Sequence, residues 1–176
     1  VKFLLCRNRI CHCNTTVIIF ARSKEKALKV FPYLEEEEHL EIVLGDISEP
    51  ICYDGDIDYV IHGASPTSSK YFVSHPVETI GAAVDGTRYV LELAKQKQVK
   101  GVVYLSSLEV YGTPAEDAGM ITEKDYGYIE PLSVRSSYSE GKRIVECLCA
   151  SYAKEYDVPV KVARLSQTFG AGVAYD

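Results

Sequence analysis

Five short apolar runs, separated by segments of helical period, most constrain what this chain can fold into. They are TTVIIFA (Thr15–Ala21), LEIVL (Leu40–Leu44), IDYVIH (Ile57–His62), GVVYLS (Gly101–Ser106) and PVKVARL (Pro159–Leu165). Their length and their Val and Ile content suit strands that are covered on both faces. Between them, Ser23 is placed to cap a short helix over Lys24–Phe31 that Pro32 ends. Val77, Ile80, Val84, Leu91 and Ala94, with Val90 beside them, recur at helical steps and predict a long helix over Pro76–Lys97. Ile144, Val145, Leu148, Tyr152 and Ala153 do the same for Arg135–Tyr156. Strand, helix, strand, repeated, predicts an α/β fold with a doubly wound, mostly parallel sheet. No composition shift or linker marks an internal boundary, so a single domain over residues 1–176 is expected.

Two stretches resist this pattern. VKFLLC, at the start, reads as a short strand or as the last turns of a helix. As a strand it is no ordinary parallel neighbour of TTVIIFA, because the connection is too short for a crossover. Thr113–Leu132 is a long irregular loop rich in Asp, Glu, Gly and Tyr. The acidic run Glu35–Glu38 reads as a solvated turn.

The net charge of −6 argues against a nucleic-acid binder that works by bulk electrostatics, and no apolar run approaches the length of a membrane span. The six cysteines are irregularly spaced, which favours reduced thiols and a cytoplasmic location. Cys6, Cys11 and Cys13 fit no common zinc spacing, so no metal is expected. Cys147 and Cys149, two apart on a helix, point to different faces and read as helix packing.

In a parallel sheet of this kind ligands sit outside the carboxyl ends of the strands. Arg22 follows the first strand directly, where a cation leans toward the 2′-phosphate of NADP. Asp46 stands where an adenine edge could be met, or caps its own turn. Gly63, Ala64 and Ser65 carry so little bulk that a ligand could approach their backbone. Ser107 offers a hydroxyl to a substrate oxygen or forms a turn, and Glu109 is a general acid or base or a solvated loop acid. Tyr138 and Lys142, four apart, share one helix face. An ammonium beside a phenol favours the phenolate and so draws the Tyr pKa toward working pH. With thirteen Tyr in the chain, one Tyr-x-x-x-Lys match by chance is unremarkable, and the pair gains weight only from the strand-end hydroxyl upstream.

HGASP (His62–Pro66), SSLEVYG (Ser106–Gly112), YSEGK (Tyr138–Lys142) and RLSQTFG (Arg164–Gly170) stand at the places such a fold requires. Together they resemble the extended short-chain dehydrogenase/reductase family of NAD-dependent nucleotide-sugar epimerases and dehydratases, with UDP-glucuronate decarboxylases as the nearest pattern. The resemblance implies a Rossmann-like fold, bound NAD, a nucleotide-diphosphate sugar as substrate, and a reaction through a 4-keto sugar. It casts Tyr138 as the base for a sugar hydroxyl and Lys142 as the holder of the nicotinamide ribose. Ser107 would bond the reacting oxygen, and Glu109 would be the second acid/base of dehydratases and decarboxylases. Ile47 joins the cofactor contacts, and Pro66 and Gln167 the substrate contacts. The resemblance further implies a homodimer through the two long helices.

The chain departs from that family in four ways. Its first glycine is Gly45, so no glycine loop precedes the first strand, and the chain is expected to begin inside the fold with a gap in its sheet. It ends at Asp176, before the substrate-binding part. Ala83 and Gln167 each replace a family Asn. Ser107, Glu109, Tyr138 and Lys142 together favour an enzyme. The missing loop and Ala83 leave open a non-catalytic binding module or a truncated product.

Overall fold

A computed structural model describes residues 1–32, 36–66, 68–117 and 119–168. Glu35, Phe169 and Gly170, named above within larger motifs, lie outside the described residues. The chain divides into two compact units, Val1–Tyr53 and Asp54–Asp176.

The first unit is built on two parallel strands, β1 (Val17–Ala21) and β2 (Leu40–Leu44), paired in register from Val17↔Leu40 to Ala21↔Leu44. The opening stretch is helical: α1 spans Lys2–Cys11 and ends at His12 in the left-handed region (φ 52°). Its inward residues are Leu5 and Asn8. Asn8 explains the choice over a strand. Its amide donates to the Thr15 carbonyl at 2.6 Å and accepts from the Thr15 N–H at 3.1 Å, tying the helix to the entry of β1. A buried amide with both its ends used costs little. Helix α2 (Lys24–Val30) starts where Ser23 accepts a hydrogen bond from the Lys26 N–H. Leu5, Ala27 and Leu40 form the small core, with Val17, Ile19 and Phe31 against it.

The second unit holds three parallel strands in the order β3-β4-β5: β3 (Tyr59–His62), β4 (Gly101–Ser107) and β5 (Val160–Leu165). Two long helices, α4 (Pro76–Gln96) and α5 (Ser136–Tyr156), pack on each other and on these strands. Between β3 and α4 a short helix, α3 (Ser69–Ser74), occupies what the sequence reads as a Ser/Pro loop. All the paired strands are parallel, as expected, but they form two sheets, and the opening stretch supplies no strand to either.

Coverage of both sheet faces is not seen on β3 and β4. Their alternation sends Val102, Tyr104 and Ser106 into the core under the helices, while Tyr59, Ile61 and Val103 on the other face are exposed. The apolar residues of α4 divide between inside and outside. Val77 and Ile80 are exposed, and the buried side runs through Thr79, Ala83, Thr87, Val90, Leu91 and Ala94. Small residues replace large ones near the α4 N-terminus because α5 comes close there. A Cβ added to Gly141 would lie 3.3 Å from the Ala83 Cβ. On α5, Ile144 is exposed, while Val145 and Cys149 are buried and Cys147 faces out.

Val145 is fully enclosed between strands and helix. Val145→Ala is expected to destabilise by about 2 kcal/mol, from lost transfer energy plus the cavity it leaves. A urea unfolding midpoint unchanged from the parent chain would refute this placement of the core.

Candidate functional site

Parallel pairing brings the ends of β3, β4 and β5 to one edge, with Ser107 opposite Leu165. Gly63 to Pro66, Ser107 and Gln167 follow at that edge, and Gln167 is exposed. Gly63 matters for space: a Cβ there would meet the Leu105 side chain at 3.1 Å. The Ser65 hydroxyl turns back to the Pro66 carbonyl at 3.3 Å. Ser107 closes β4, and its Oγ accepts from the Glu109 N–H at 3.2 Å, capping the 3-10 turn Leu108–Tyr111. The Ser107 hydroxyl thus forms the turn that follows β4.

Tyr138 and Lys142 lie on the first turns of α5, as the spacing requires. The Tyr138 ring stacks on Phe72 of α3, centroids 4.3 Å apart and planes 9° from parallel. Lys142 is buried, and its Nζ donates to the Leu105 carbonyl at 2.8 Å. The same Nζ lies 5.6 Å from the Tyr138 ring centroid and 4.7 Å over the Tyr104 ring. Burial pushes the Lys142 pKa down to about 8, against the opposing pull of Glu146 and Cys149. His62, at the end of β3, is buried and shares a hydrogen bond with Thr87 Oγ1 at 2.9 Å. Burial, and then the Lys142 charge, hold His62 down at about 4, so it is neutral near pH 7.

Glu109 is not a free loop acid. Arg135 Nη2 donates to its Oε1 at 2.6 Å, and Ser139 Oγ to its Oε2 at 2.6 Å. Burial pushes the carboxyl upward, but these two hydrogen bonds and the Arg135 charge outweigh it and leave its pKa below the usual carboxylate value. Arg135 and Ser139 were legible as one more i, i+4 pair in the same motif. Phe72 carried no signal, since its six-residue helix is too short to show a period. Ala83, where the family pattern has an Asn, is buried against Gly141 and offers this turn of α5 only a methyl group.

In the first unit, Arg22 and Asp46 stand at the ends of β1 and β2 and form an exposed ion pair at 4.0 Å. Asp46 caps its own turn, accepting from the Ser48 N–H at 2.9 Å and the Ser48 hydroxyl at 2.8 Å. Those two bonds hold its pKa low. Ile47 follows within that turn. A Cβ at Gly45 would meet the Phe20 ring at 2.6 Å, so a larger residue there would have to push that ring aside.

The sequence model of the NAD dependent epimerase/dehydratase family matches residues 14–176. The chain belongs to that family. Among curated proteins it is 35% identical over 133 residues to UDP-glucuronic acid decarboxylase 1 of Xenopus tropicalis, covering 76% of this chain and 30% of that protein. It is 34% identical over 136 residues to UDP-glucuronic acid decarboxylase 6 of Arabidopsis thaliana, covering 77% and 38%. The chain thus spans well under half the length of these relatives. Among solved structures, UDP-glucuronic acid 4-epimerase from Bacillus cereus in complex with NAD aligns with a TM-score of 0.70 at 23% identity, covering 95% of this chain and 53% of that one. A dTDP-glucose 4,6-dehydratase from Streptomyces venezuelae with NAD bound aligns at 0.72 and 22% identity, covering 93% and 50%. These alignments show the Rossmann-like fold of this NAD-dependent family. No helix among the described residues is long and apolar enough to cross a membrane.

Proposed function

We propose that this chain is the cofactor-side part of an enzyme that acts on a nucleotide-diphosphate sugar through a 4-keto intermediate, with decarboxylation of a uronic acid sugar the favoured outcome. The observation that carries the reading is Lys142: a buried ammonium fixed by the Leu105 carbonyl, one helical turn from Tyr138 and at the strand edge where Ser107 ends β4. Among the described residues Lys142 has no anionic partner at hydrogen-bonding distance, and a lysine buried in that way costs stability, which supports a functional role for it.

The residues present suit a nicotinamide ribose: Lys142 has further N–H donors beyond the one given to Leu105, and Gly63 puts no side chain of its own over its backbone. Bound NAD supplies the chemistry of accepting and returning a hydride. Tyr138 takes the proton from the sugar hydroxyl and later returns it, while Ser107 fixes that oxygen. Glu109, held ionised by Arg135 and Ser139, accepts a proton only once those contacts loosen, so its acid/base role requires Arg135 to move. Gly63, Ala64 and Ser65 line the cofactor side, and Pro66 and Gln167 the sugar side. Within the first unit, Arg22, Asp46 and Ile47 are the proposed adenosine contacts, with Arg22 admitting NADP as well as NAD. The exposed Val77 and Ile80 of α4 and Ile144 of α5 support a homodimer through these helices. Six free thiols support a reducing, cytoplasmic setting.

Titration with NADH and NADPH, followed by nicotinamide fluorescence, tests the cofactor reading; the intact enzyme with UDP-glucuronic acid tests the reaction. Saturable binding with sugar turnover is expected. Binding with no turnover on any nucleotide sugar would leave a binding module, and the absence of both would refute the proposal.

The fluorescence titration also carries a pH expectation. Lys142 loses its proton as pH rises through about 8. The ribose then faces a neutral amine, so NADH affinity is expected to fall between pH 7 and 9.5. An affinity flat across that window would remove Lys142 from the cofactor site.

A further inference from the structure

Tyr104 stands at a core position of β4, between Val102 and Ser106, in a row where a buried parallel strand ordinarily carries aliphatic side chains. It is almost completely buried, among Val145, Cys149 and Tyr152. An aromatic ring there does what Val or Ile cannot, because its face carries negative potential. The Lys142 Nζ lies over that face, 4.7 Å from the centroid, with the Leu105 carbonyl on the adjoining residue accepting its proton at 2.8 Å. The ring and the carbonyl belong to consecutive residues of one strand, so β4 presents both as one rigid seat.

We propose that the face of the Tyr104 ring is the seat of the Lys142 ammonium, which makes Tyr104 a positioning residue for the site. The other groups that act on Lys142 divide by sign. Glu146 on α5 and Cys149 one turn further favour its charged form. Tyr138 lies 5.6 Å away, ring centroid to Nζ. His62 on β3, whose ring centroid is 5.5 Å from that of Tyr104, stays neutral and adds no repulsion near pH 7. Glu146 is itself engaged by Arg164, at 2.7 and 3.0 Å, and by the Ser106 hydroxyl at 2.6 Å. Its charge is thereby shared with these partners, while the face of the Tyr104 ring lies directly under the ammonium. The proposal rests on the reading of Lys142 as a functional cation, but its test does not.

The test is an NMR titration of lysine 13Cε in the intact protein, with the Lys142 signal assigned by its loss in Lys142→Arg. Tyr104→Phe keeps the ring and is expected to leave the Lys142 midpoint in place. Tyr104→Leu removes the ring face and is expected to lower the midpoint by about one pH unit. Because Tyr104→Leu could fail to fold, a series of increasingly fluorinated phenylalanines at position 104 keeps the shape while draining the ring face of charge. The midpoint is expected to fall stepwise along that series. A midpoint that stays put across it, whatever happens to thermal stability, would overturn the proposal. A midpoint that moves while NADH affinity stays constant would uphold Tyr104 as the seat and instead remove Lys142 from the cofactor site.

Discussion

Tyr138→Phe in the intact enzyme is expected to lower kcat by about 10²- to 10⁴-fold, the range for losing a positioned proton-transfer group. Folding and NADH affinity should be unaffected. The reason lies in how Tyr138 is held. Its ring is stacked on Phe72 at 4.3 Å, so the aromatic contact survives removal of the hydroxyl. Lys142 keeps its bond to the Leu105 carbonyl, which does not involve Tyr138. The substitution therefore removes the proposed proton acceptor and little else. A group that acts only in the transition state lowers kcat and kcat/KM together and leaves ground-state binding alone. Steady-state kinetics with a nucleotide sugar, beside a thermal melt and an NADH titration, separate the possibilities. Retained turnover would sink the assignment. Lost turnover with a collapsed melt would mean that the hydroxyl is structural.

The strands were legible because parallel strands are rich in Val, Ile and Leu, even where, as on β3 and β4, one face is left exposed. Leu40–Leu44 falls where the alternation placed it, and the remaining strands differ only at their ends. The opening stretch was ambiguous for a physical reason. Six apolar-rich residues fit either period, and the deciding contact is the Asn8 amide on Thr15, a polar pairing that hydrophobic patterning cannot register. Which side of α4 faces inward was not legible, for a related reason. Where helices approach closely the buried residues are small, as at Ala83 and Gly141, and large apolar residues such as Val77 and Ile80 are left outside.

Within the site, the motif residues were legible and their restraints were not. Ser107, Glu109, Tyr138 and Lys142 could be named from spacing and strand ends. That Glu109 is gripped on both oxygens by Arg135 and Ser139, that Phe72 backs Tyr138, and that Tyr104 lies under Lys142 all depend on how separate elements meet. Periodicity in one segment says nothing about that meeting. The loop after Tyr111 shows the same limit: its composition announced irregularity, while its fastening comes from the Thr113–Tyr128 bridge and from Arg143 and Arg164 elsewhere in the chain.

That loop yields the second large effect. Gly127→Ala is expected to destabilise by about 2–4 kcal/mol, a drop in Tm of about 5–15 °C for a chain of this size. A Cβ on Gly127 would lie 2.1 Å from the Thr113 carbonyl oxygen and 2.9 Å from that of Tyr111. Both are backbone atoms, so no side chain can swing aside to make room. Relief requires opening the Thr113–Tyr128 bridge, whose two hydrogen bonds measure 2.9 and 3.1 Å, and the 2.7 Å bond from the Gly127 N–H to Tyr111. Each is worth about 1 kcal/mol net. Arg143 extends the damage, because it donates to Gly127 through Nη2 and to Val110 through Nε, both at 2.7 Å. Val110 belongs to the same 3-10 turn as Glu109, so opening the loop loosens the turn that carries a proposed acid/base group. Gly119→Ala, where an added Cβ meets nothing within 4 Å, is the matched control and should leave Tm unchanged. If both variants melt with the parent, the loop is not fastened as described; if only Gly127→Ala falls, and turnover falls further than stability accounts for, then the fastening of this loop is part of what holds Glu109 in place.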